Sequence, residues 1–547
     1  MMTMLPRGKT YEEVYDAFRW NIPERYNIAR DVCDRHAGEP GKLALIHERP
    51  DGSVHEMTFG ELNRTANQLA NTLMAAGLRK GDRVLVLLTQ DPMTAVAHIA
   101  CWKAGLVSIP TAILFGADAI AYRLKNAEVS AVVTDSENFA KADEARGEAD
   151  TMRKIYLIDG AHPGAEDLRK ILPRASDRFA TLDTHAEDPA MINYTSGTTG
   201  WPKGTLHAHR VMLGSIPGNE FYYEFFPQPG DRMWSPADWA WIAGMMDVLT
   251  PALYYGVPVV SFRAKKFDPE QAYAMMGKHR VRTAFLPPTV LKLMRQVSGG
   301  AQRSGTRLRA VMSGGESVGA ELLGCGQTEL GLLINEGFGQ TECNLVIGNC
   351  ASLMPVKPGS LGRAVPGHTA GIVDDHGNPV RTGDIGNLAI KSPDPVMMKE
   401  YWRNPEATAK KFAGDWLLTG DLAHQDEDGY LWYQGRADDV ITSAGYRIGP
   451  GEIEDALMRH DAVLMAAAIG VPDPLRTEMI KAFVILREGR TGDEALAEEI
   501  KAFVRDRLAK HEMPRAIEFV TELPMTTTGK IMRRTLREQE VAKQKGG

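Results

Sequence analysis

Residues 194–204 read YTSGTTGWPKG. Small hydroxylated residues and glycines fill the stretch: Thr195, Ser196, Gly197, Thr198, Thr199 and Gly200. Glycine lets the backbone approach a ligand closely and adopt positive φ. Successive N–H groups and hydroxyls can then cradle phosphate oxygens. Lys203 adds a point charge suited to a polyphosphate. The preceding MINY reads as the end of a strand, a common seat for such a loop. Neither GTTGWPKG nor TTGKIMRR satisfies GxxxxGK[ST], so this is not a Walker A loop. No GxGxxG follows a strand, and a dinucleotide-binding fold has no support.

Outward from this loop, helical and strand patterns alternate. Residues 58–76 place Leu62, Ala66, Leu69 and Leu73 at helical spacing. After Gly81 and Asp82 comes RVLVLL, a short apolar run that suits a buried parallel strand. The alternation recurs around KIYLID, VPVVSF, TAFLPP and RAVMSGG, which argues for α/β layers built on parallel sheets. Beyond residue 370, DDHGNP, RTGD and DEDGYLWYQG separate short strands, predicting a small, barrel-like β subdomain. From Gly451 the order is a helix (GEIEDALMRH), two strands (LMAAAIGVP and KAFVILRE) and an amphipathic helix over 494–510. That helix carries Leu496, Ile500, Phe503, Val504 and Leu508 on one face. The expected architecture is α/β: a large N-terminal domain of two parallel-type subdomains plus the small β subdomain, over 1–435, and a small α+β C-terminal domain over 436–547.

The 547 residues carry 63 Lys+Arg against 70 Asp+Glu, a net charge of −7 that disfavours a nucleic-acid binder. Five scattered cysteines, at 33, 101, 325, 343 and 350, form no CxxC pair. That points to a reducing compartment and away from a disulfide scaffold or zinc ribbon. The N-terminus has no apolar h-region, and no run approaches the ~18 apolar residues of a membrane span. A cytoplasmic protein is expected.

The string at 194–204 resembles the phosphate-binding signature of the adenylate-forming superfamily: acyl-CoA synthetases, luciferases and peptide-synthetase adenylation domains. Further stretches resemble the family's motifs in the family's order. They are PADWAW (236–241), SGGE (313–316), NEGFGQTE (335–342), WLLTGD (416–421), GRADDVITSAGYRIGPGEIE (435–454) and PMTTTGKIMRR (524–534).

The resemblance implies a two-step reaction. A carboxylate attacks the α-phosphorus of ATP to give acyl-AMP and pyrophosphate, and the thiol of coenzyme A then displaces AMP. Ser196, Thr198, Thr199 and Lys203 would hold the departing phosphates. Thr198 and Glu342 would ligate Mg²⁺, a hard ion that takes oxygen ligands. Gly314, Gly315 and Glu316, with Glu336, Gly337, Phe338, Gly339, Gln340 and Thr341, would form the nucleotide site. Asp421 would accept bonds from the ribose hydroxyls, with Arg436 as its partner. Lys530 would contact the carboxylate and α-phosphate, offsetting repulsion between two anions. Asp438 matches the hinge about which the C-terminal domain rotates. Ser443, Gly445 and Tyr446 would then come in to meet CoA, Arg447 would contact phosphate, and Arg505 matches a residue on the CoA nucleotide.

Overall resemblance is to the acetyl-CoA and medium-chain acyl-CoA synthetase branch. Trp239, Trp241, Ile242 and Ala243 would wall the acyl pocket. Acetate-specific members carry a tryptophan just before the QTE triplet, where this chain has Gly339. Loss of the ring opens volume for several carbons, each worth ~0.8 kcal/mol when buried. The expected acid is therefore a C3–C8 aliphatic, branched or small aromatic one. Rival readings are an adenylating enzyme that loads a carrier protein or releases acyl-AMP, an acetyl-CoA synthetase, and a non-catalytic protein that kept the fold. Trp201 departs from the smaller or basic residue usual in the family. Relatives also imply a homodimer, and PMTTTGK resembles a setting in which a lysine acetyltransferase acts on the residue equivalent to Lys530.

Overall fold

The computed structural model describes residues 3–195, 201–262, 266–316, 318–437, 439, 441–443, 446–473, 477–508, 512–525 and 531–546. The chain forms two compact units: Met1–Thr369 with Lys391–Phe412, and Ala370–Ile390 with Ala413–Gly547.

The first unit holds two large, mostly parallel sheets. One runs, in spatial order, Glu400–Tyr401, Lys203–Ala208, Pro189–Thr195, Val107–Pro110, Arg83–Leu87, Val129–Thr134, Lys154–Leu157 and Glu166–Asp167. Its strands are parallel from Pro189–Thr195 onward, and the first three pair antiparallel. Arg83–Leu87, the predicted apolar run, lies inside it, buried from Val84 onward. The other sheet has nine strands and is parallel from Ile334–Gln340 through Ala310–Gly314, Thr283–Phe285, Met233–Trp234 and Val259–Phe262 to Leu43–Glu48. The two parallel subdomains expected from the alternation are these sheets.

Local chemistry sets the element ends. The predicted helix forms over Phe59–Ala75, with Thr58 and Glu61 as a reciprocal capping box. Its buried face includes Leu62, Ala66, Leu69 and Leu73, as their spacing predicts. All five cysteines are free.

In the second unit the expected barrel-like part is a five-stranded sheet. Within it Ala370–Val373 pairs antiparallel with Gly386–Lys391, and Trp416–Gln425 with Leu431–Arg436. The C-terminal part is α+β. Antiparallel strands Val463–Asp473 and Thr477–Leu486 form its centre, packed by Pro450–Met458 and Glu494–Arg505. Ile500 and Val504 are buried there, with Leu496 and Leu508 against the same core. Phe503 instead meets His460 edge-on at 5.0 Å.

Candidate active site

The phosphate-loop candidate closes a hairpin. Pro189–Thr195 and Lys203–Ala208 pair antiparallel, ending at Thr195 opposite Lys203. Strand pairing thus fixes both stems of the loop. Thr195 Oγ1 donates to Lys203 O at 3.5 Å. Ser196, Gly197, Thr198 and Thr199 lie outside the described residues. Trp201 is 68 % exposed yet stacks on Tyr122, with centroids 4.9 Å apart and planes 13° from parallel. Tyr122 Oη also donates to Pro202 O at 2.9 Å. The unusual tryptophan therefore ties one stem of the loop to the helix Ala117–Asn126.

Strand Ile334–Gln340 presents Glu336, Gly337, Phe338, Gly339 and Gln340 in sequence, and Thr341 and Glu342 follow in the turn to Asn344–Gly348. Glu342 is 9 % exposed. Its Oε1 accepts from Tyr401 Oη, and its carbonyl accepts from Met398 N at 2.8 Å. Tyr401 lies opposite Thr205 in the strand pair beside the loop stem, and Lys203 Nζ sits 5.1 Å from its ring centroid. Lys203 and the acidic residue of the QTE triplet thus meet one tyrosine. Sequence reasoning missed Tyr401. Its only mark is the string KEYWRNPEAT, 59 residues from Glu342, and no spacing rule links the two.

Among the described residues no group of three or more His, Cys, Asp or Glu could hold a metal by itself. One carboxylate together with a hydroxyl and phosphate oxygens still fits Mg²⁺, which keeps few protein ligands.

The SGGE segment leaves strand Ala310–Gly314 at its C-terminal end. A Cβ on Gly314 would lie 2.3 Å from Gly337 O, so glycine is what lets these neighbouring strands approach. Gly315 has φ +90°, a conformation that side chains resist. Thr289 Oγ1 donates to Glu316 at 3.3 Å, and Glu336 Oε1 accepts from Val318 N at 3.3 Å. Phe338 is half-buried.

In the acyl segment Trp239 is fully buried, whereas Trp241, Ile242 and Ala243 are half-buried. Trp241 meets Phe115 edge-on at 5.9 Å. A Cβ on Gly339 would fall 1.8 Å from Asn344 O. The missing ring is thus also a demand of the backbone at this irregularity in the strand pair. Asn344 has φ +29°, and its Nδ2 donates to Asp247 Oδ1 at 2.9 Å and to Ser215 Oγ at 3.1 Å. Burial pushes the Asp247 carboxyl well above the usual carboxylate range. This polar cluster was also missed by sequence reasoning, because its members are spread across residues 215–344.

In the second unit Asp421 is buried in strand Trp416–Gln425, and Arg436 Nη1 donates to its Oδ1 at 3.1 Å across the strand pair. Ser443 is buried, and Tyr446 and Arg447 follow on the paired strand Tyr446–Ile448. Arg505 ends its helix, exposed beside Asp506 at 3.1 Å. Asp438, Gly445 and Lys530 lie outside the described residues. Of the basic residues after Lys530, Arg533 is a structural one. It binds Glu454 through Nε at 2.9 Å and Nη2 at 2.6 Å, and Asp439 at 3.3 Å.

Two mostly parallel sheets, with Lys203 on a hairpin stem and Glu342 in a turn meeting the same tyrosine, are what an adenylate-forming class of enzyme requires. The AMP-binding enzyme family model matches residues 33–402, and the AMP-binding enzyme C-terminal domain model matches 452–530. The acetyl-coenzyme A synthetase of Bacillus subtilis (strain 168) is 34 % identical over 553 residues, covering 97 % of this chain and 95 % of that protein. The mitochondrial acyl-coenzyme A synthetase ACSM3 of Homo sapiens is 32 % identical, covering 97 % and 92 %. The crystal structure of the anthranilate CoA ligase AuaEII with anthranoyl-AMP superposes with a TM-score of 0.86, at 30 % identity, covering 95 % and 98 %. The chain belongs to the AMP-binding enzyme family and stands among its AMP-forming acyl-CoA ligases.

Proposed function

We propose that this ligase activates a short- to medium-chain, branched or small aromatic acid with ATP and passes it to CoA. One observation chiefly supports the reading: Tyr401 holds together the Lys203 stem of the phosphate loop and the Glu342 carboxylate. That is the pairing an enzyme needs to bind a metal-bound polyphosphate and release pyrophosphate.

In this reading Ser196, Thr198, Thr199 and Lys203 hold the β/γ-phosphates, and Thr198 and Glu342 are the protein ligands of Mg²⁺. The ion supplies charge neutralisation at the phosphate oxygens. Lys530 offsets the repulsion between the incoming carboxylate and the α-phosphate. Asp421 and Arg436 bind the ribose. Fixed donors of this kind act where negative charge develops, so they favour the transition state over the ground state. Thioester formation uses Ser443, Gly445, Tyr446, Arg447 and Arg505, after rotation at Asp438 of a domain spanning 436–547. That functional boundary falls inside the second compact unit. The cytoplasm is the compartment proposed; among the described residues no helix is long and apolar enough to cross a membrane. A homodimer and acetylation of Lys530 are further parts of the proposal.

The pocket larger than acetate needs is read from Gly339, where acetate-specific relatives carry a tryptophan; the half-buried Trp241 and Phe115, in edge contact, would form part of its wall. The Bacillus acetyl-coenzyme A synthetase keeps acetate as the second reading. Acyl-CoA formation from acetate, butyrate, hexanoate, octanoate and benzoate separates them. The expected result is a kcat/KM for butyrate or hexanoate above that for acetate; the reverse order would overturn the pocket argument.

A further inference from the structure

We infer that Tyr401 is a positioning residue for the metal-binding carboxylate, fixing Glu342 so that it receives the divalent cation carried by ATP. The inference rests on the reading of Glu342 as a metal ligand. An ionised carboxylate has about four acceptor sites on two oxygens. Tyr401 Oη occupies one on Oε1 and leaves acceptor capacity for a metal. Groups that hydrogen-bond a ligating carboxylate orient it and tune the metal, and their loss typically costs 10–100-fold in affinity or activity.

Tyr401 is itself firmly held. It is buried, lies opposite Thr205 in the strand pair, and its N–H donates to Thr408 Oγ1 at 2.9 Å. Thr408 Oγ1 in turn donates to Asn404 O at 2.9 Å. Asn404 caps the helix Pro405–Ala409 through its side chain. The turn that carries Glu342 is fastened to the same segment by Met398 N on Glu342 O. The phenol is thus rigid where it meets the carboxylate, and its ring face lies beside the Lys203 ammonium. A cation 5.1 Å from a ring centroid is within cation–π range. One side chain therefore sets both the anionic and the cationic group proposed to meet the polyphosphate.

The test uses the full-length enzyme, without acid or CoA, and measures the Kd of ATP twice. One titration is with Mn²⁺, followed by electron paramagnetic resonance; the other is in EDTA, by calorimetry. Tyr401→Phe keeps the ring and removes the hydroxyl. It is expected to weaken Mn²⁺–ATP roughly tenfold, about 1.4 kcal/mol, and metal-free ATP less than twofold. Tyr401→Leu, which also removes the ring from Lys203, is expected to weaken both. Equal weakening of the two forms by Tyr401→Phe, or no weakening of either, would overturn the inference. A wild-type enzyme that binds ATP equally with and without Mn²⁺ would overturn it too. Acyl-CoA formation by that same wild-type preparation would show that the ligase reading itself still stands.

Discussion

Gly339 lies opposite Leu345, and Asn344 opposite Gln340, where the strand pair between Ile334–Gln340 and Asn344–Gly348 slips register. Removing the side chain at 339 allows the carbonyl of Asn344 to close in, and Asn344 takes positive φ with its amide fixed by Asp247 and Ser215. Here a pocket argument from sequence meets a backbone constraint. The sequence reading compared residue types at one position; the structure adds that a ring at 339 would displace chain as well as fill space. Overpacking against backbone is costly because neither partner can rotate away. Gly339→Ala is expected to lower stability by roughly 3 kcal/mol, read as a fall in urea midpoint with unchanged slope. A midpoint within error of the wild type would show that this strand pair yields readily. The residues singled out in the sequence, such as Glu342, Asp421 and Lys203, are those whose proposed roles a ligand would dictate. Tyr401, Asn344 and Asp247 were not legible, since each acts through a partner brought near only by folding.

The helix Val211–Tyr222 carries a second buried carboxylate, remote in role from phosphate chemistry. Glu220 accepts from Met4 N and Leu5 N, each at 2.7 Å, and from Tyr255 Oη, so it pins the N-terminal segment to the helix. Burial pushes its carboxyl up to about 7, with the hydrogen bonds from Tyr255, Leu5 and Met4 opposing. An acid with a raised folded pKa makes folding less favourable as pH rises. The unfolded chain ionises first, near its ordinary value of 4.5, and the penalty is complete once the folded carboxyl also ionises near 7. The Glu220 contribution to stability is therefore expected to slope downward between about pH 4.5 and 7, by an amount on the order of 3 kcal/mol, while the buried His98, His207 and His209, held neutral by burial, slope the other way. Glu220→Gln should flatten that slope relative to the wild type in denaturation curves at several pH values. Parallel slopes in the two proteins would refute the assignment. At this scale the sequence was informative about element type and poor about neighbours. The capping box at Thr58 and Glu61 and the apolar run at Arg83–Leu87 are local signals. The assignment of KIYLID to one sheet and of VPVVSF, TAFLPP and RAVMSGG to the other depends on long-range pairing that no local pattern encodes. The basic residues after Lys530 show the same limit: Arg533 binds Glu454 and Asp439, whereas Arg534 pairs on the surface with Glu538.

For the molecule as a whole, the alternating α/β pattern and the ordered motifs make the class of enzyme readable in the sequence. The acid is not legible in the same way, because the segments proposed to wall its pocket pack through backbone approach and buried polar contacts. The proposed reaction is a two-step ligation with free CoA as acceptor. Its most direct test is pyrophosphate release from ATP and Mg²⁺ across acids from acetate to decanoate plus benzoate, with and without CoA, alongside detection of acyl-CoA. Multiple turnover that depends on both CoA and an acid longer than acetate, with stoichiometric acyl-CoA, is the predicted result. Sustained release that ignores CoA and yields no thioester would contradict it.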